Sequence, residues 1–169
     1  GGREGADSET LSLPLPEGGE TAQGASHRPP GIPASRPLRI DLVTIFPEMF
    51  DGVLGTGMLR LGRERGLLDI RPINLRDYTT DKHNQTDDTP CGGGAGMVMM
   101  PDPLFRCVEA LDDGSERPRV ILTTPTGDPY TQAKAQELAC AGHLIVICGR
   151  YEGVDERVRE HLVTDEISI

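Results

Sequence analysis

His143-Leu144-Ile145-Val146-Ile147-Cys148-Gly149-Arg150-Tyr151-Glu152-Gly153-Val154-Asp155-Glu156-Arg157 is the stretch on which the fold turns. Its first half is an unbroken apolar, β-branched run, the signature of a strand buried on both faces. Its second half reads as a tight turn followed by a short helix over residues 153–160. A helix starting near Gly153 aims unpaired N–H groups at the turn before it. Gly149 and Gly153 let a ligand approach the backbone closely. Between them Arg150, Tyr151 and Glu152 supply a cation, an aromatic face and a carboxylate. A strand-to-helix turn with solvated charges accounts for the same spacing equally well.

The same alternation recurs on either side. Residues 39–45 and 119–124 are two more β-branched, buried-strand patterns, and 68–75 alternates as a strand. Helical patterns lie between them. Pro47 sits near a first helical position, glycine-broken turns run from Gly52 to Gly66, Asp102 precedes a helix from Pro103 to about Asp112, and Thr131 precedes one ending near Ala141. Strands alternating with helices predict an α/β domain, a mostly parallel sheet flanked by helices. In such sheets ligands sit beyond the carboxyl ends of the strands. That places Thr124-Pro125-Thr126-Gly127, the Cys148–Gly153 turn and Ile167-Ser168-Ile169 together as candidate site segments.

The 169 residues contain 21 Gly and 14 Pro, more than a compact fold of this size uses. Part of that excess lies in residues 1–37, whose Gly, Pro, Ser and Glu cannot offset the entropy of ordering. They are expected to form a disordered leader, with the domain at 38–169. A net charge of −10 excludes bulk basic attraction to nucleic acid, and the absence of Trp argues against a base-stacking platform. No apolar run reaches the length of a membrane span, and no secretory signal is present, so the expected setting is cytoplasmic with reduced thiols.

Residues 76–101 read as a long polar loop. It holds Asp77, Asp81, His83, Asp87 and Asp88, then Gly92-Gly93-Gly94-Ala95-Gly96-Met97. The glycines fit neither a Walker loop nor a dinucleotide fingerprint, and the aspartates lack calcium-loop spacing. Cys91, Cys107, Cys140 and Cys148 form no metal-binding pattern, so no metal site is expected. Cys107 and Cys148 read as core residues. Arg60, Arg63, Arg65, Arg71 and Arg76 form a local basic strip, suited either to phosphate contact or to a solvated helix face.

Four segments in order carry a family resemblance: Ile45-Phe46-Pro47-Glu48-Met49-Phe50; Asp81-Lys82-His83 with Asp87-Asp88; Gly92 to Met97; and Cys148 to Arg157. Residues 39–169 closely resemble the TrmD family of bacterial tRNA (guanine-N1)-methyltransferases, of the SPOUT class. The resemblance implies a trefoil-knot domain and methyl transfer from S-adenosyl-L-methionine to N1 of the guanine 3′ to the anticodon of tRNA. It further implies a homodimer with its site at the subunit interface. Pro125, Gly127, Gly149, Tyr151, Gly153 and Ile169 would bind the cofactor. Arg150 and Glu152 would support catalysis beside the target base, and His83, Asp87, Gly94, Gly96 and Met97 would contact the tRNA. The chain departs from the family pattern at Cys91, usually Tyr, and Ala95, usually Pro, which bears on loop rigidity. The family's third knot loop begins at Ile169. Its general-base Asp, a partner Arg and a helical domain follow, so residues 1–169 are expected to be an inactive fragment with an incomplete knot. Two other readings stay open: a module that binds RNA or cofactor without turnover, and a SPOUT enzyme acting on another RNA.

Overall fold

The structure is a computed structural model that describes residues 36–80, 86–88, 98–149 and 153–169. Residues 1–35, expected to form most of the leader, lie outside the described residues.

Five parallel strands build the main sheet: β1 (Leu38–Thr44), β2 (Leu68–Asn74), β5 (Arg119–Pro129), β6 (His143–Ile147) and β8 (Asp165–Ser168), in the order β2-β1-β6-β5-β8. The two edges suit their residues. β2 carries Pro72, which has no N–H to donate and is tolerated where only one neighbour exists. β8 is short, which limits the exposed ladder at the other edge. A second, small sheet joins β3 (Asp87–Asp88), β4 (Val98–Met99) and β7 (Gly153–Val154).

Helices cover both faces, as the alternation predicts. On one face α3 (Pro101–Leu111) and α5 (Glu156–His161) pack Leu104, Cys107, Val108, Leu111 and Val158 onto Val43, Val120, Leu122, Ile145 and Ile147. On the other, α4 (Gln132–Ala139) sets Leu138 against Ile121, Leu144 and Ile167. Val120 and Leu122 face one way and Ile121 the other, the period-two alternation of a strand. Residues 47–64 form a 3-10 turn (Pro47–Phe50), α1 (Asp51–Leu54) and α2 (Gly57–Glu64). Gly66, at φ +65°, stops α2 and sends Leu67 back to Gly62 by a 2.9 Å hydrogen bond. No helix among the described residues is long and apolar enough to cross a membrane.

Three local expectations need correction. α3 starts at Pro101, not behind an Asp102 cap; Pro101 needs no N–H partner and has its φ preset, so Asp102 falls in the first turn. α5 starts at Glu156 rather than near Gly153, because Gly153 and Val154 are taken by pairing with β4. Asp155 caps it, accepting from the Arg157 N–H at 3.0 Å. Finally, β5 does not end at Thr124. It runs to Pro129, with its ladder to β8 lapsing between Thr123 and Asp128.

Among the described residues one carboxylate, that of Asp41, is wholly buried. Asp41 of β1 accepts from Arg71 Nε at 2.9 Å, Arg39 Nε at 3.0 Å and His143 Nε2 at 2.7 Å. These bonds tie β2, β1 and β6 together. A buried ion that lost its partners would cost several kcal/mol, so this set is retained as a unit.

Candidate active site at the carboxyl ends of the strands

β5 and β8 end side by side and leave a cleft of about 260 Å³, lined by Thr123, Thr124, Pro125, Ser168 and Ile169. The lapse in the ladder creates it. Ile167 pairs with Thr123 before the break and with Asp128 after it, so Thr124–Gly127 leave the strand and return. Thr124 and Thr126 brace this excursion through their hydroxyls, 3.2 Å apart. Gly127 closes it. A Cβ there would stand 2.6 Å from the Ile167 nitrogen and 2.8 Å from the Glu166 carbonyl oxygen. The close passage of two backbones therefore requires this glycine, whatever ligand is bound.

The neighbouring strand β6 reaches the same edge. Thr123 donates its hydroxyl to the Ile147 carbonyl at 3.2 Å. Gly149 lies beside it, where a Cβ would meet the Thr123 carbonyl oxygen at an ordinary 3.7 Å. Nothing described in the chain forces glycine at 149, and its exposed backbone is open to a bound group. Of the expected cofactor residues, the fold thus brings Pro125, Gly149 and Ile169 to one edge. Gly127 lies behind them, lining a separate polar cleft with Lys134, Arg159, Asp165 and Glu166. Gly153 sits in β7. Ser168 lay within an expected site segment, whereas Thr123, the residue before another, was not singled out; its only signal is a hydroxyl after an apolar run.

The small sheet supplies the remaining juxtaposition. β4 follows the glycine-rich segment, and β7 follows Arg150-Tyr151-Glu152. The two pair in parallel, Val98 with Gly153 and Met99 with Val154. Asp87 belongs to β3 and pairs with Met99. Arg150, Tyr151, Glu152, His83, Gly94, Gly96 and Met97, with the departures at Cys91 and Ala95, lie outside the described residues. The chain leaving one expected RNA-contact segment and the chain leaving the expected catalytic turn nevertheless run side by side.

Electrostatics narrow the chemistry. Burial pushes the Cys148 thiol above its ordinary range, and burial together with Asp41 pushes Cys107 up to about 12. Burial thus disfavours the thiolate at both, the reverse of what a cysteine nucleophile needs. The arginine strip is divided rather than continuous. Arg71 is bound to Asp41, and Arg76 donates to the Ile45 carbonyl at 2.6 Å while stacking on Phe46. Arg60, Arg63 and Arg65 remain at α2, where Arg60 pairs with Glu64 and Arg63 donates to the Leu54 carbonyl.

The family model described as tRNA (Guanine-1)-methyltransferase TrmD matches residues 38–169. The chain belongs to the TrmD family. Named tRNA (guanine-N(1)-)-methyltransferases of Bacillus cereus (strain B4264) and Bacillus anthracis (strain A0248) are each 56% identical to it over 133 residues, covering 78% of this chain and 54% of the relative. The crystal structure of tRNA (m1G37) methyltransferase from Aquifex aeolicus superimposes with a TM-score of 0.72 at 36% identity, over 79% of this chain and 60% of that one. The chain thus spans about half the length of the curated relatives it matches. In this TrmD domain the parallel sheet and its flanking helices match those of that structure over most of the chain.

Proposed function

We propose that the protein carrying this domain methylates N1 of the guanine 3′ to the anticodon of tRNA, with S-adenosyl-L-methionine as donor. The observation that carries this reading is the convergence of Pro125, Ile169 and Gly149 at one backbone-lined edge. The donor set fits the group: main-chain N–H and C=O groups suit an adenine edge, hydroxyls of Thr123, Thr124 and Ser168 suit ribose and carboxylate, and Pro125 and Ile169 offer apolar contact.

S-adenosyl-L-methionine supplies an electrophilic methyl group on a sulfonium sulfur. The chain's part is placement: Pro125, Gly149 and Ile169 hold the donor by backbone contact, with Tyr151 and Gly153 completing the pocket and Gly127 shaping it from behind. Guanine N1 carries a proton and has no free lone pair for attack. A base must remove that proton while a cation steadies the charge building on O6. We assign the cation role to Arg150 and the positioning of the base edge to Glu152. The family's aspartate beyond the position of Ile169 is the proton acceptor, and the trefoil knot is closed by the segment that carries it. His83, Asp87, Gly94, Gly96 and Met97 contact the anticodon stem and the flipped guanine. Two copies form the site, and the cell compartment is the cytoplasm.

The test is methyl transfer by the complete protein to tRNA transcripts with guanine or adenine 3′ to the anticodon, read by nucleoside mass spectrometry. N1-methylguanine is expected from the first transcript alone. Its absence there, or equal methylation of ribosomal RNA, overturns the reading.

A further inference from the structure

The cleft is only as well placed as β8, and β8 is a short edge strand with one neighbour. Its middle is held by Ile167 in the core, and its carboxyl end by the Tyr130 N–H on the Ser168 carbonyl at 2.9 Å. Its amino end is held by charge. Asp165, whose side chain is 7% exposed, accepts from Arg119 Nε at 3.0 Å and Thr164 Oγ1 at 2.7 Å on one oxygen. The other oxygen accepts from Lys134 Nζ at 3.1 Å and from a second N–H of Arg119. Glu137 joins both cations, at 2.6 Å to Arg119 and 3.1 Å to Lys134. Arg159 of α5 adds a 2.7 Å pair to Glu166.

Arg119 opens β5, and Thr123–Pro125, further along the same strand, form the opposite wall of the cleft. The two strands that frame the cleft are therefore cross-linked at their other end. A one-residue slip would turn Ile167 out of the core, and the directional charged hydrogen bonds at Asp165 hold the same register at the amino end of the strand. A slip of one residue would carry Ser168 and Ile169 about 3.3 Å along the strand.

We propose that Asp165 is a positioning residue for the methyl-donor cleft, fixing the register of β8 against β5 and so the placement of Ser168 and Ile169. This rests on the reading of that cleft as the donor site. The test compares Asp165→Asn, Asp165→Glu and Lys134→Met in the complete protein. Donor KM, tRNA KM and amide hydrogen exchange at residues 166–169 are measured separately. Asp165→Asn is expected to raise donor KM about tenfold and leave tRNA KM within about twofold, with faster exchange in β8. Asp165→Glu restores part of the loss, and Lys134→Met shifts donor KM in the same direction by less. An unchanged donor KM, or equal rises in both KM values, overturns the proposal. If Asp165→Asn does not fold, an unchanged donor KM in Lys134→Met overturns it instead. A wild type that transfers no methyl group overturns the functional reading and this one with it; an active wild type with unaltered variants overturns the clamp alone.

Discussion

Gly127 and Gly142 are both crowded, yet the obstacles differ in kind. At Gly127 the atoms in the way of a Cβ are backbone atoms of Ile167 and Glu166, all under 3 Å. At Gly142 they belong to the Glu116 carboxylate, the far end of a mobile side chain. The two sites give opposite expectations for the same substitution. Gly127→Ala must push β8 away from β5, an overpacking cost of about 1–3 kcal/mol, and it widens the cleft at Pro125 and Ile169. Gly142→Ala lets Glu116 swing out and loses only its 3.0 Å bond to the Gly142 N–H, about 1 kcal/mol or less. Urea unfolding of the two variants checks the contrast; equal losses would mean that β8 yields as readily as a side chain.

At the scale of elements, α5 depends on its cap. Its six residues form too short a helix to persist without tertiary packing, and Asp155 satisfies its first turn. Hydrogen bonds from Arg157 hold the Asp155 carboxyl at about 2. Burial raises that of Asp165, but bonds from Arg119, Thr164 and Lys134 outweigh it and also leave it at about 2. Both lie below the ordinary value of 3.8, so the folded chain binds fewer protons than the unfolded chain in this range. Their stabilisation is present above about pH 4 and is lost as the pH falls toward 2. Asp155→Asn keeps a competent cap but has no proton to take up and loses the Arg157 ion pair, so it flattens this acid slope by giving up the charge-dependent part of the stabilisation at neutral pH. Asp155→Ala removes the cap and costs about 1 kcal/mol there. Denaturant midpoints measured between pH 2 and 7 separate the two. The caps also mark what the sequence discloses. Thr131 was legible as a cap, since its hydroxyl accepts from the Lys134 N–H as the local pattern requires. The strands β1, β5 and β6 were legible as apolar runs and β2 by its alternation, whereas β8, with Asp, Glu and Ser around Ile167, has no such run. The start of α5 was not, because Gly153 and Val154 are claimed by β4, a partner more than fifty residues away that two-residue strands do not advertise. The continuation of β5 past Gly127 was hidden for the same reason: Thr124-Pro125-Thr126-Gly127 has turn chemistry locally, and only the ladder to β8 recovers the strand. Of the candidate site, Thr124, Pro125, Ser168 and Ile169 lay in segments the sequence singled out, while the Asp165 clamp, assembled from β5, α4 and β8, has no local signature.

At the scale of the molecule, the chain carries −10 overall, yet Val53 and Met58 are 55% and 79% exposed on successive turns, with Met49 exposed just before them. Exposed apolar side chains gathered on one segment are a candidate contact for an apolar partner. The family resemblance implies a second copy, and the patch is where we place it. Two like-charged copies repel one another, so contact through this patch must work against the net charge. Screening weakens that repulsion, with a Debye length of about 8 Å at 0.15 M salt, and leaves apolar burial intact. Dimerisation is therefore expected to strengthen with added salt, the reverse of an interface held by exposed ion pairs. Val53→Glu with Met58→Glu should shift the protein to monomer at micromolar concentration in sedimentation velocity. On the reading that two copies build the site, methyl transfer should fall with the dimer fraction, while the thermal midpoint of the folded subunit changes little. A double variant that sediments as the wild type does would move the interface elsewhere, and a monomer with full activity would show that one copy builds the whole site.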